Sequence, residues 1–307
     1  MRSLYFFSAK CYYLLQRRCA GGIFLSFKSI TTASSLSTAE INQLLDIASE
    51  MKRIVNSRVK RGPQLLGKSL AVLDFEGDLL AANTLKLACE YMSGISFCFS
   101  DCKNVGESVA RARALGANFV ALLNSDGKSV KQAAEGGAQI IDCGSDASAV
   151  KILTYLFTLK DTLETVKSLD VTVLGDAGDG IFVGELSSTL ARYESKVSVF
   201  ASGEQTFLKE KGCRVYNDIG IAVSGCDAVI DCGLKYDGEQ KKFYGHPAGL
   251  TEELLKSAQT NAPLFDCEKV FSKEKGEWTV YAHSVLNEQI KNRLAVCMAA
   301  LYLMSRN

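Results

Sequence analysis

The sequence predicts an α/β chain of two doubly wound parallel-sheet domains linked by long helices. Three observations predict it. Short apolar runs of strand length alternate with stretches patterned at helical spacing. The alternation occurs twice, over about 69–143 and again over about 171–265. A long helical stretch near Ala147–Val166 joins the two rounds, and another, Ser284–Met304, closes the chain. A length of 307 residues gives each half room for its own core.

Apolar residues at Ile41, Leu44, Leu45, Ile47, Ala48, Met51, Ile54 and Val55 form one stripe, so a helix is expected from about Ser37, with a capped start at Thr38–Ile41. Arg61-Gly62-Pro63 breaks it. Leu70, Ala71, Val72 and Leu73 make Ser69–Phe75 a buried strand, and Thr84–Met92 reads as a helix ended by Ser93-Gly94. Strands follow at Ile95–Phe99, Phe119–Leu123 and Ala138–Cys143, with helices at Ser108–Leu115 and Val130–Glu135. In the second round, strands are expected at Val171–Leu174, Val197–Phe200, Arg214–Tyr216, Ala228–Cys232 and Pro263–Phe265. Helices are expected at Ile181–Tyr193, about 204–211, Ile219–Val223 and Thr251–Ala258. Residues 39–155 and 156–283 are thus two domains, preceded by an extension over 1–38. Ligands of such sheets lie at the carboxyl ends of the strands.

Composition is that of a globular chain, 47% apolar and 22% charged. A net charge of +1 gives no reason to expect nucleic acid. The eleven cysteines form no CxxC pair, and Cys98 and Cys102 lack metal-site spacing, so free thiols in a reducing compartment are expected. With only two histidines, His246 and His283, a histidine-based metal or catalytic network has little to build with. Gly175, Gly178 and Gly180 do not have the G-x-G-x-x-G spacing of a dinucleotide loop. No cofactor and no metal are expected. Residues 1–39 contain no Asp or Glu but carry Arg2, Lys10, Arg17, Arg18 and Lys28 among apolar and hydroxyl residues. That is the pattern of a transit segment, and it gives a mitochondrial location, on the matrix side, as the expectation. Residues 1–38 are the one stretch through which membrane contact is possible.

Phe75-Glu76-Gly77-Asp78-Leu79-Leu80-Ala81-Ala82, Val173-Leu174-Gly175-Asp176 and Leu250-Thr251-Glu252-Glu253-Leu254-Leu255 together resemble landmarks of the aspartate/ornithine carbamoyltransferases. The resemblance covers about 45–304 and implies the transcarbamylase fold, with a carbamoyl-phosphate domain at 39–155, an amino-acid domain at 156–283 and helix 284–304 packing back on the first. In that family Phe-Glu-x-Ser-Thr-Arg-Thr-Arg grips carbamoyl phosphate at a helix start. The matching Asp78, Leu79, Leu80, Ala81 and Ala82 offer no such side chains, and Asp78 also reads as a simple helix cap. The family's His-Pro-x-Gln aligns with Ser148, Ala149, Val150 and Lys151, where Ser148 reads as a helix-start residue and Lys151 as a solvated lysine. Its second-domain Arg, His and Ser align with Ile181, Gly184 and Glu185, and its late His-Pro-Leu-Pro-Arg with the segment beginning at Asp266. A carboxylate about 4 Å from a phosphate costs roughly 4 kcal/mol per unit charge pair. Two lost charge-assisted contacts cost about 1.5–3 kcal/mol each.

The expectation is therefore a catalytically inactive, transcarbamylase-like protein, not an enzyme, serving as a structural or accessory subunit with protein partners in a mitochondrial complex. A homo-oligomer is compatible with it. The alternatives are an active or divergent carbamoyltransferase, or a small-metabolite binding module. In the last, Asp78, Asp176, Asp179 and Glu185 favour a cation or amine.

Overall fold

The computed structural model describes residues 27–100, 102–145, 147–174, 180–200, 206–232, 236–237, 242–243 and 250–306. Most of the acid-free N-terminal stretch, Asp176 and Asp179, and His246-Pro247 lie outside the described residues. The chain divides into two compact units, Met1–Phe157 with Lys291–Asn307, and Thr158–Ile290.

The first unit holds a parallel sheet ordered β2-β1-β3-β4, built from β1 (Ser69–Asp74), β2 (Ile95–Phe99), β3 (Phe119–Leu123) and β4 (Ile140–Asp142). Its helices are α1 (Thr38–Asn56), α2 (Leu79–Tyr91), α3 (Val105–Ala114), α4 (Gly127–Glu135) and the start of α5 (Ala149–Leu163). β3 is buried at every position, as suits a central strand of apolar residues. Ala71, Leu73, Val120, Leu122 and Ile140 of the sheet pack with Val109, Ala112 and Val130 of α3 and α4 into one core cluster. α1 starts from a capping box: the Ser37 hydroxyl accepts from the Glu40 N–H at 3.3 Å, and the Glu40 carboxylate accepts from the Ser37 N–H at 2.6 Å.

α2 begins five residues before the helix expected at Thr84. Asp78 caps it by accepting from the Ala81 N–H at 2.9 Å. Leu79 and Leu80 are exposed, so they add a turn without joining the apolar stripe by which a helix is recognised.

Ahead of α1, residues 29–32 run along β4 as a strap. Ile30 donates to the Ile140 carbonyl at 2.8 Å and accepts from Asp142 at 2.9 Å, and the Thr31 carbonyl accepts from Ala149 at 2.8 Å. Ile30 is fully buried. Ile30→Ala is expected to lower stability by about 2–4 kcal/mol, read from urea denaturation of the full chain. A change below about 0.5 kcal/mol would show a loosely attached arm instead.

The second unit holds a five-stranded parallel sheet ordered β11-β8-β5-β6-β7. Its strands are β5 (Asp170–Leu174), β6 (Lys196–Phe200), β7 (Arg214–Tyr216), β8 (Ala228–Asp231) and β11 (Leu264–Phe265). Two antiparallel hairpins accompany it: β9 (Tyr236–Asp237) with β10 (Lys242–Phe243), and β12 (Lys269–Ser272) with β13 (Glu277–Val280). The helices are α6 (Ile181–Ala191), α7 (Thr206–Glu210), α8 (Ile219–Val223) and α9 (Glu252–Leu255). Leu174, Val229 and Leu264 of the sheet pack with Ile219, Val223, Leu255 and Val270. The last helix, α10 (Leu286–Met304), runs on into the first unit's closing segment, where Ala295–Met304 is buried. No helix among the described residues is long and apolar enough to cross a membrane.

Candidate functional site

Each doubly wound sheet opens a crevice where strand order reverses. In the first unit that point lies between β1 and β3. The turns around it are closed by their own side chains. Asp74, at the end of β1, is buried and accepts from the N–H groups of Glu76 at 3.2 Å and Gly77 at 2.9 Å. Asp126 accepts from Ser129 at 2.9 Å, and hydrogen bonds from Ser129 hold its carboxyl below the usual range. Asp142, at the end of β4, accepts from the Gly144 and Ser145 N–H groups at 3.1 Å each and from the Ser145 hydroxyl. Carboxylates thus occupy backbone donors that a bound anion could otherwise use.

The residues aligned with the donor site fall into place around this point. Asp78–Ala82 form the start of α2, with Leu79 74% and Leu80 59% exposed and Ala81 and Ala82 buried. Ser148 is fully buried and donates to the Asp142 carbonyl at 2.8 Å, while its hydroxyl oxygen accepts from the Lys151 N–H at 3.2 Å. It therefore secures the β4–α5 turn. Ser125, just past β3, was not singled out from the sequence. It is 8% exposed, and its hydroxyl has no partner among the described residues. A buried hydroxyl left unpaired costs free energy, so a strand-end position at a switch point makes it a candidate ligand contact. The β4–α5 turn also comes very close to Asn124: a Cβ on Gly144 would lie 2.2 Å from the Asn124 nitrogen.

In the second unit the switch point lies between β5 and β8. Ile181 and Gly184 sit on the first turn of α6, Gly184 donating to the Gly180 carbonyl at 2.8 Å. Asp266 is exposed just past β11, with φ 60°. Gln289 locks it at two points, donating to its carboxylate at 2.7 Å and accepting from its N–H at 3.1 Å. The Ser284 hydroxyl donates to the next carbonyl, that of Cys267, at 2.6 Å. This turn places Cys267 near Asp231, the last residue of β8, and the Cys267 thiol donates to the Lys269 carbonyl at 3.0 Å. Burial, then the Asp231 charge, push the Cys267 thiol up to about 11. At neutral pH the Cys267 thiol is neutral, and the Asp231 side chain beside it makes a combination suited to a hydrogen-bonding amine. Neither Asp231 nor Cys267 was picked out from the sequence. The available signal was a predicted strand, Ala228–Cys232, ending in a carboxylate where ligands of this fold lie. Among the described residues no group of three or more His, Cys, Asp or Glu side chains could hold a metal ion.

No protein-family model matches the chain. The chain is 26% identical over 296 residues to the aspartate carbamoyltransferase catalytic subunit of Halothermothrix orenii, covering 87% of this chain and 91% of that protein. It is 26% identical over 308 residues to the corresponding subunit of Caldicellulosiruptor bescii, covering 91% and 98%. The chain is a relative of the aspartate and ornithine carbamoyltransferases. Ornithine carbamoyltransferase from Thermus thermophilus shares its fold, with a TM-score of 0.76, 21% identity and coverage of 91% of this chain and 99% of that one. The doubly wound α/β class and the carbamoyltransferase fold are thus as the sequence predicts. The expectation that the chain is not an enzyme is overturned: the relatives it matches along nearly their whole length are named as catalytic subunits. Their names favour the carbamoyltransferase alternative over an inactive structural subunit. The physical reason lies in what the side-chain comparison left out. Transfer of a carbamoyl group rests on orientation and on placed donors, and a strand-end hydroxyl such as that of Ser125 can supply a donor without the family's arginines.

Proposed function

We propose that this chain is a divergent carbamoyltransferase whose acceptor is an amine held by Asp231 and Cys267. The observation that carries the reading is the Asp231 side chain beside the Cys267 thiol at the β8 strand end, close enough that its charge raises the thiol, in a chain related to carbamoyltransferases. In the reaction the acceptor nitrogen attacks the carbamoyl carbon. The new C–N bond forms, the C–O bond to phosphate breaks, and the nitrogen gives up a proton to solvent or to the departing phosphate. Asp231 orients the amine, and the neutral Cys267 thiol completes the polar wall beside it.

Within the first unit taken by itself, the Ser125 hydroxyl, without a partner among the described residues, is the side chain the reading assigns to an anionic donor. Asp78 is turned into its own helix, where the N-terminal end of the dipole offsets part of its charge. That arrangement softens the repulsion that the sequence suggests for an anionic donor.

Isotope-labelled carbamoyl phosphate tests the reading when offered with ornithine, lysine, a diamine and aspartate in parallel. Label is expected in ornithine, lysine or the diamine, whose second amine Asp231 would hold, at rates well above the protein-free blank. Label in aspartate alone, or in none of them, would sink it. The acid-free, arginine-bearing N-terminus supports a mitochondrial matrix location, which a reporter fused to residues 1–38 and followed by fractionation would check. Naming of the relatives as subunits supports a homo-oligomer.

A further inference from the structure

One end of the first unit presents apolar and basic side chains together. It is the end at which the strands of the sheet begin, opposite to the strand-end turns described above. Three large apolar residues stand out from it: Leu66 is 74% exposed, Ile95 68% and Leu115 67%. Hydrogen bonds around Ser69, the first residue of β1, bring them together. Leu66 lies in the turn that leads into β1, where the Lys68 N–H donates to the Leu65 carbonyl at 2.9 Å. Ile95 opens β2 opposite Ser69 and donates to the Lys68 carbonyl at 3.0 Å. Leu115 follows the last residue of α3, and the next carbonyl, that of Gly116, accepts from the Ser69 hydroxyl at 2.8 Å.

The charge beside these side chains has one dominant sign. Residues 51–73 carry Lys52, Arg53, Arg58, Lys60, Arg61 and Lys68 and no Asp or Glu. Arg61 is fixed at this end, donating to the Ser93 hydroxyl at 3.3 Å, two residues before Ile95. Arg113 lies two residues before Leu115 and is exposed. Among the described residues, Lys60, Arg61, Lys68 and Arg113 are in no ion pair. Glu90, which accepts from the Ser96 hydroxyl at 2.7 Å, is a carboxylate at the margin.

We propose that this face is a docking surface for an anionic lipid bilayer. Leu66, Ile95 and Leu115 enter the boundary between headgroups and acyl chains, and the cations beside them meet lipid phosphates. The mixture of side chains decides the partner. Nucleic acid would engage the cations through its phosphates and leave three exposed aliphatic side chains without a counterpart. A second copy placed face to face would set cation against cation. The sequence confines the expected membrane contact to residues 1–38, whereas this face belongs to the folded first unit and stands apart from the proposed transfer reaction.

The test is sedimentation of the full chain with vesicles of phosphatidylcholine alone and of phosphatidylcholine with about one third phosphatidylglycerol. Binding to the anionic vesicles, weak binding to the neutral ones and release at high salt are expected. Each cation near such a surface adds about fivefold to the affinity, so Lys60→Glu with Arg61→Glu is expected to weaken binding by about tenfold or more. Leu66→Ser with Leu115→Ser, also at exposed positions, is expected to weaken it by about threefold or more. Circular dichroism and melting temperature show whether both pairs stay folded. Arg17→Glu with Arg18→Glu leaves the face intact and should retain most of the binding. The proposal is wrong if the anionic vesicles do not bind the chain, or if either pair at the face, folded, leaves binding unchanged. It is equally wrong if the Arg17 and Arg18 pair alone abolishes binding, or if duplex RNA binds through Lys60 and Arg61 while the vesicles do not. Vesicle binding is read without turnover, so failure of the transfer reaction does not affect it.

Discussion

Asp231→Ala is expected to lower kcat/KM for an amine acceptor by about 10–150-fold, the loss of one charge-assisted contact worth roughly 1.5–3 kcal/mol. The fall should appear when the amine is varied and be far smaller when carbamoyl phosphate is varied at saturating amine, because Asp231 belongs to the second unit's strand ends. Asp231→Asn, which keeps the shape and one hydrogen-bond acceptor, should lie between the two. Steady-state kinetics with the labelled donor decide the matter. An alanine variant within threefold of wild type would remove Asp231 from the site and, with it, the reason to expect an amine.

The second large effect is on folding. Gly144→Ala would set a Cβ 2.2 Å from the Asn124 nitrogen and 3.0 Å from the Leu123 Cα and carbonyl carbon. All of these are backbone atoms held by a central strand, so no flexible side chain can give way. Leu122 accepts from Cys143 at 3.0 Å, and Phe75 donates to the Leu123 carbonyl at 3.4 Å, which ties both sides of the approach into the sheet. A loss of about 3 kcal/mol or more is expected, at the upper end of overpacking costs, measured by denaturant unfolding. A loss below about 1 kcal/mol would show that the two turns separate easily. Circular dichroism before unfolding distinguishes a weakened fold from a chain that never folded.

The strands were legible because burial writes itself into composition. Phe119–Leu123, buried at every position, is found where five consecutive apolar residues predict it, while Ile95–Phe99, also found as predicted, is a partly exposed edge strand read from its aromatic and β-branched residues alone. Helix starts were less legible. At α2 the first two residues face solvent, and only the Asp78 cap marks the boundary. The β12–β13 hairpin went unread, although Val270 and Ser272 alternate inward and Gly276, at φ 69°, ends the Lys273–Gly276 turn. Phe271 and Trp278 then meet edge to face across it at 5.8 Å, a pairing that depends on register. The same limit hid the proposed amine site. Asp231 and Cys267 come together because Phe265 lies beside Ile230 in a parallel pair. Two segments more than thirty residues apart must be aligned before a carboxylate and a thiol can be recognised as neighbours. Ser125 was hidden for a different reason: an unpaired hydroxyl is a property of its surroundings and leaves no trace in a residue's identity.

The strap along β4 has one more implication. It shields one margin of the first unit's sheet, donating and accepting where another chain could otherwise add a strand. The opposite margin is β2, Ile95-Ser96-Phe97-Cys98-Phe99, without a charge or a proline, and among the described residues it pairs only with β1. The sheet is therefore polarised with respect to self-association: copies that adhere through backbone pairing will do so at the Ile95 side, and a single lysine introduced there is the economical way to keep the protein in solution.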